Sequence, residues 1–189
     1  MTYIYLGMAK VILDANVLYP APVRDYLLRL ASEGLYQPGW TTQIHEEWIR
    51  NLLINRPDQK KSDLEKTRKA MDSAFPDAEV NGYEELISSI SLPDTDDKHV
   101  LAAAITAGAP LIVTNNLKDF PEEILVQYGI RAISADEFVL HLIDTNKHAA
   151  FDALDKQVKA LRNPPRSTED VLLILEKCGL IESAIRLKE

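Results

Sequence analysis

Leu111-Ile112-Val113-Thr114-Asn115-Asn116-Leu117-Lys118-Asp119-Phe120-Pro121 decides how the chain is read. Three consecutive apolar residues suit a strand buried on both faces, as interior strands of a parallel sheet are. Thr114, Asn115 and Asn116 end it. Just upstream, residues 98–107 form an apolar helical pattern stopped by Gly108, the residue type that most often ends a helix. Val11-Ile12-Leu13 is a second buried-strand pattern, closed by Asp14-Ala15-Asn16, and Arg131-Ala132-Ile133 is a third. Between the first two lie helical patterns over residues 23–31, stopped at Gly34, and after Thr41 or Thr42, where Ile44, Trp48 and Leu52 share a face. A charged helix is expected over residues 57–75. Ser134, with Glu137 three residues on, opens a further helix as a capping box. Strands alternating with helices predict an α/β fold, a three-layer sandwich around a short central parallel sheet. Ligands of such sheets sit beyond the carboxyl ends of the strands. Asp14 and Thr114 both follow a strand and face that edge.

The outer parts of the chain behave differently. Residues 1–139 hold 13 basic and 21 acidic residues, which is the whole net charge of −8; residues 140–189 hold eight of each. No strand pattern occurs after residue 140, and Asn163-Pro164-Pro165 separates two helical patterns there. The expected organisation is a domain over residues 1–139 and an all-helical C-terminal extension over residues 140–189. The single cysteine, Cys178, excludes an internal disulfide and a cysteine-based zinc cluster. It fits a reducing, cytoplasmic compartment. Residues 1–10 show no basic start or cleavage site of a signal peptide, and Met8-Ala9-Lys10 offers an alternative start. The longest uncharged run, residues 100–117, is broken by Gly108 and Pro110, so no membrane span is expected. An acidic protein is a poor coat for nucleic acid. That does not exclude a nuclease whose metal site is itself made of carboxylates.

Four acidic positions stand out by placement: Asp14 ends the first strand, Glu47 lies inside the second helix, Asp97 opens the apolar helix, and Asp119 follows the second strand. Carboxylates crowd at one edge only when something positive holds them. Hard divalent cations do so through oxygen ligands, and two such ions ~3.5–4 Å apart can drive phosphodiester cleavage. Each residue also has an ordinary structural reading. Asp14-x-Asn16 fits an Asx turn, Glu47 a solvated helix face, Asp94, Asp96 or Asp97 a helix cap, and Asp119 the lead-in to a helix starting at Pro121.

The ordered set resembles the PIN-domain nuclease family, in particular the toxin ribonucleases of VapBC-type toxin–antitoxin pairs. The resemblance rests on residues 11–18, on Trp40-Thr41-Thr42-Gln43-Ile44-His45-Glu46-Glu47-Trp48, on residues 92–104 and on the opening stretch, and it spans about residues 10–138. It implies Asp14, Glu47, Asp97 and Asp119 as the acidic set. Glu46 is the rival of Glu47, and Asp94 and Asp96 are rivals of Asp97. Asn16, Thr114 and Asn116 are the polar helpers. The activity implied is that of an endoribonuclease using Mg²⁺ or Mn²⁺, with Asp14 and Asp97 as principal ligands and Asp119 and Glu47 as direct or water-mediated ones. Water would attack phosphorus in line, leaving a 5′-phosphate and a 3′-hydroxyl. The partners implied are RNA, a small antitoxin whose arginine would compete with the metal, and a second copy of the chain. The doubled Glu46-Glu47 and the long helical tail depart from the common pattern.

Phosphate needs positive partners. Arg50, one turn after Glu47, and Lys98 and Lys118, which flank proposed ligands, are the nucleic-acid-binding candidates. The lysines and arginines of residues 60–69 alternate with acids and fit a solvated helix. His45-Glu46-Glu47 begins like a zincin motif, but Ile49 stands where the second histidine is needed. His99, His141 and His148 read as ordinary helix residues, and Cys178 as part of the tail core. Two alternatives remain. A haloacid-dehalogenase-like phosphatase also starts with an aspartate after its first strand, but Asn16 replaces the usual second aspartate, and Asp96-Asp97 precedes Thr114 where that family places its acidic pair later. A non-catalytic PIN-like module binding RNA or protein would need a damaged acidic set, and here all four positions are intact.

Overall fold

The computed structural model describes residues 9–189. The signal-peptide and start-site readings over residues 1–8 lie outside the described residues. In chain order the elements are β1 (Lys10–Leu13), α1 (Ala15–Leu18), α2 (Ala21–Ser32), β2 (Gln37–Gly39), α3 (Thr42–Asn55), α4 (Lys61–Ala74), α5 (Glu84–Ile87), α6 (Lys98–Ala107), β3 (Leu111–Val113), α7 (Glu122–Leu125), β4 (Arg131–Ile133), α8 (Ala135–Thr145), α9 (Lys147–Ala160), α10 (Thr168–Lys177) and α11 (Ile181–Arg186). Short 3₁₀ turns cover Leu117–Asp119 and Val126–Tyr128.

The sheet is parallel throughout, in the order β2-β1-β3-β4. Successive strand side chains point to opposite faces, yet Val11, Ile12 and Leu13 are all fully buried, and so are Leu111, Ile112 and Val113. Both faces of the two central strands are therefore covered, which makes the α/β sandwich. Ala102, Ala103 and Ala104 are also fully buried. Small side chains there let α6 lie close against β1 and β3.

One strand is absent from the sequence reading. Gln37-Pro38-Gly39 contains no strand former, yet it pairs with β1 in the register Val11↔Pro38 and Ile12↔Gly39. Proline lacks a donor and is tolerated on an edge strand. At Gly39 an added Cβ would lie 2.8 Å from the Ile12 Cδ1 atom, so a larger residue there would make the Ile12 side chain shift.

The helix boundaries follow local chemistry. The Thr41 hydroxyl accepts from the Ile44 amide at 3.1 Å and caps α3. Ser134 caps α8 by accepting from the Glu137 amide at 3.1 Å. Gly108 ends α6 with φ of 59°. Helix α8 runs across residue 140, and the core that starts with Val11 continues without a break through Leu154, Val171, Leu175 and Leu187. Tyr26 on α2 donates to the Ala150 carbonyl at 3.0 Å, and Gln157 donates to the Pro22 carbonyl at 2.9 Å, which ties α9 to α2. Cys178 is half-buried against this core. Among the described residues no helix is long and apolar enough to cross a membrane.

Candidate functional site

Following β1, the chain continues to β2 on one side, while β3 lies on the other, so the order reverses between β1 and β3. A crevice at the carboxyl end of two such strands is where open α/β sheets bind ligands. Asp14 and Thr114 flank it, and they meet. Thr114 Oγ1 donates to Asp14 Oδ2 at 2.7 Å, the Ala15 amide donates to Asp14 Oδ1 at 2.6 Å, and Asn16 Nδ2 donates to both Asp14 Oδ2 and Thr114 Oγ1. Asp14 thus caps α1 through the Ala15 amide and at the same time sits 3% exposed in the crevice. Burial raises its pKa, against the hydrogen bonds from Thr114 and Ala15.

The loop after β3 is stitched to the same network. The Asn115 amide donates to Asn16 Oδ1 at 2.9 Å, and Asn115 Oδ1 accepts from the Ala135 amide at 3.1 Å at the start of α8. The Asn116 amide donates to Thr114 Oγ1 at 3.0 Å, and Asn116 Nδ2 donates to Asp119 Oδ2. Asn16, Thr114 and Asn116 therefore each hold an acidic residue in place.

Asp97 is different. It stands at the N-terminus of α6 without making a side-chain cap. Its Oδ2 is buried and has no hydrogen-bond partner. Its pKa is pushed up to about 7, first by burial and then by repulsion from Asp14, Asp94, Asp119 and Glu47. One oxygen each of Asp94, Asp97 and Asp119 lie within 4.8 Å of one another. Asp14 and Glu47 act on Asp97 from alongside. Asp96 is outside this group, and its amide donates to Asp94 Oδ1 at 2.9 Å. Glu46 is exposed, whereas Glu47 is turned inward with its side chain 17% exposed.

A donor set of hard oxygens, one of them buried and unmatched, is what Mg²⁺ or Mn²⁺ would complete. A buried acceptor left without a partner is costly, and five carboxylates repel one another unless a cation stands among them. The residues present fit a divalent cation. Of the basic candidates, Lys118 lies 3.9 Å from Asp119 Oδ2 with its side chain 82% exposed, Lys98 is half-buried next to Asp97, and Arg50 is exposed on α3.

Two residues at the site were not singled out from the sequence. Asn115 joins β1, β3 and α8, and its only signal was the paired Asn115-Asn116 after a strand. His99 Nε2 lies 3.0 Å from Glu47 Oε1, with the ring 2% exposed. Its signal was a polar ring beside Val100-Leu101-Ala102-Ala103-Ala104, all of them buried.

Two family models match the chain, one described as PIN domain over residues 10–118 and one described as VapC50 C-terminal domain over residues 135–189. A protein of Mycobacterium tuberculosis strain H37Rv that bears the name "Putative ribonuclease VapC50" is 37% identical over 91 residues, which are 48% of this chain and 53% of that protein. The chain thus spans about half the length of the curated relative it matches. No solved structure matches it. With the first of these models covering more than half of its residues, and the strand-edge carboxylates in place, the chain belongs to the PIN-domain family.

Proposed function

We propose that this protein is a metal-dependent endoribonuclease, the toxin of a toxin–antitoxin pair, with a nuclease domain over residues 1–139 and a helical extension from residue 140. The observation that carries this reading is the buried, unpartnered Oδ2 of Asp97 amid four other carboxylates. Asp97, Asp119 and Asp94 would hold the ion together with Asp14, and Glu47 would close the set directly or through water. When bound, Mg²⁺ or Mn²⁺ supplies an activated water and offsets the charge that builds on phosphate. Thr114, Asn16 and Asn116 keep the carboxylates fixed so that no reorganisation is needed during the reaction. Arg50, Lys98 and Lys118 would bind the RNA backbone. A small cytoplasmic antitoxin would block the site by presenting an arginine to the same carboxylates.

The test is cleavage of a labelled RNA panel by purified protein with Mg²⁺, with Mn²⁺ and with EDTA, beside Asp97→Asn. Cutting is expected with either ion, giving 5′-phosphate ends, and neither with EDTA nor with the variant. A preparation shown to be free of any bound partner that cuts no RNA would overturn the reading.

A further inference from the structure

Glu47 has a partner that the reading above does not use. A carboxylate only accepts, so the hydrogen in the 3.0 Å contact belongs to His99 Nε2. The other ring nitrogen, Nδ1, is buried and has no partner. A buried imidazole with half its hydrogen-bonding capacity unmet is an expensive way to fill space in an apolar helix. A leucine would pack there without that cost, so the residue type is explained by the acids around it, by the bond to Glu47 first and by the ring's electrostatic pull on Asp14 second. Glu47 in turn has cause to leave. Asp14 and Asp97 both repel it, and a glutamate at the edge of a crevice regains rotamer freedom by swinging into water. The imidazole comes from α6, the helix that Asp97 opens, and the carboxylate from α3. This bond therefore links the helix that carries Glu47 to the helix that Asp97 opens.

We propose that His99 is a positioning residue, whose Nε2–H holds the Glu47 carboxylate among Asp14 and Asp97 in the orientation a divalent cation requires. The inference rests on the metal-dependent nuclease reading and adds to it a residue outside the ligand set. Groups of this kind, which orient ligands from outside, typically account for about 10–100-fold in metal affinity or activity.

His99→Leu keeps the bulk and removes the donor. His99→Gln carries its amide Nε2–H to about the place of the imidazole Nε2–H. Both are compared with wild type by calorimetric titration of metal-free protein with Mn²⁺, by RNA cleavage and by thermal unfolding. His99→Leu is expected to weaken Mn²⁺ binding and cleavage about 10–100-fold without lowering the unfolding temperature, and His99→Gln to recover most of both. In a Glu47→Ala background, which leaves the imidazole no acceptor, His99→Leu should cost nothing further, because the bond it removes is already broken. Wild-type Mn²⁺ affinity in His99→Leu, failure of His99→Gln to recover it, or an undiminished loss in the Glu47→Ala background would each overturn the proposal. A wild-type protein that binds Mn²⁺ yet cuts no RNA would sink the nuclease reading alone, with the Mn²⁺ titrations still deciding the part played by His99. A wild type that binds no Mn²⁺ would sink both.

Discussion

Helix α3 carries two buried contacts between a histidine and a carboxylate, and they are built to opposite ends. Toward α4, His45 accepts from Trp48 Nε1 at 2.9 Å through Nδ1, and its Nε2 lies 3.3 Å from Asp72 Oδ1 without the alignment of a hydrogen bond. Trp40 Nε1 donates to that same Asp72 oxygen at 3.0 Å, and Arg68 stands 3.7 Å from the other. The Trp40 N–H and a nearby guanidinium thus offset the Asp72 carboxylate, and burial pushes the His45 pKa down to about 4, so the ring stays neutral. Toward α6, Glu47 joins four aspartates, and the His99 ring and the exposed Lys118, 3.9 Å from Asp119, offset their charge only in part. A fold gains nothing for its own stability by gathering like charges in a half-open crevice. On the function proposed above, the α4 side would serve stability and the α6 side a ligand, so stability and activity should separate along this one helix.

The largest effect should come from Asp97→Asn. Its side chain makes no cap, and one oxygen has no partner, so the amide removes repulsion and costs no hydrogen bond seen at that oxygen. Cleavage should fall by about 10²–10³-fold, the usual scale for one electrostatic contributor at a reacting centre, while the unfolding temperature of metal-free protein at pH 8 stays level or rises. Asp14→Asn should lose cleavage to a similar degree and also lose stability, because its new amide would face the donors of Asn16 and Thr114. Thermal unfolding beside a cleavage assay separates the two.

On the α4 side the signs should reverse. His45→Leu leaves the Trp48 indole N–H without an acceptor in a fully buried position. The cost should be about 1–3 kcal/mol, or ~2–12 °C in a chain of this length, with cleavage per folded molecule within about two-fold of wild type by the separability of remote sites. A variant that keeps its unfolding temperature but loses cleavage would break the contrast between the two sides.

The pH dependence of stability sharpens it further. Asp97 has a folded pKa of about 7 against an ordinary value of 3.8, so its contribution is full below ~4 and is lost as pH rises through 7. Solvent reaching this half-open site screens the effect to about 1–2 kcal/mol. His45 has a folded pKa of about 4 against 6.5, so its contribution is full above 6.5 and is lost as pH falls through 4. Between pH 4 and 6.5 the two oppose each other. Metal-free wild type should therefore show a shallow profile there, Asp97→Asn a loss of stability toward acid, and His45→Leu a loss toward base. Mn²⁺ should stabilise wild type more at pH 8 than at pH 5, since a proton on Asp97 competes with the ion. Identical profiles in all three proteins would remove both assignments.

How much of this could be read in advance follows from the range of each interaction. Strands β1, β3 and β4 are legible because they are continuous runs flanked by turn residues. Gln37-Pro38-Gly39 is not, because it contains no strand former and joins the sheet only through its register with β1. Four-residue helices such as α1 and α5 are too short to show a period. Asp14 and Thr114 are legible as residues that end strands, and Asp119 through the motif around it. The choice between Glu46 and Glu47 is not, since neighbours on a helix differ only in which side they face, and the docking of α6 decides that. His99 is invisible for the same reason: 52 residues separate it from Glu47, and only packing brings them together. Asp94 stayed a rival of Asp97 in the sequence, whereas the loop before α6 brings both to the same place.

The smallest effects should be those of the basic rim, and they test whether the acidic crevice takes a polyanion at all. Lys118 projects into solvent from the loop that carries Asp119, and Arg50 is exposed one turn beyond Glu47. If each neutralises one phosphate of a single strand, Lys118→Ala and Arg50→Ala should each flatten the slope of log affinity against log salt by about 0.7. Binding to catalytically dead Asp97→Asn protein, titrated over a range of salt, reads that slope without cleavage. Lys156 is the control. It pairs with Glu33 at 2.5 Å, at the end of α2 that leads into β2 and so at the amino edge of the sheet. Lys156→Ala should leave the slope unchanged. Equal flattening by all three variants would mean that the RNA meets only a diffuse field, and the rim at the carboxyl edge would lose its special place.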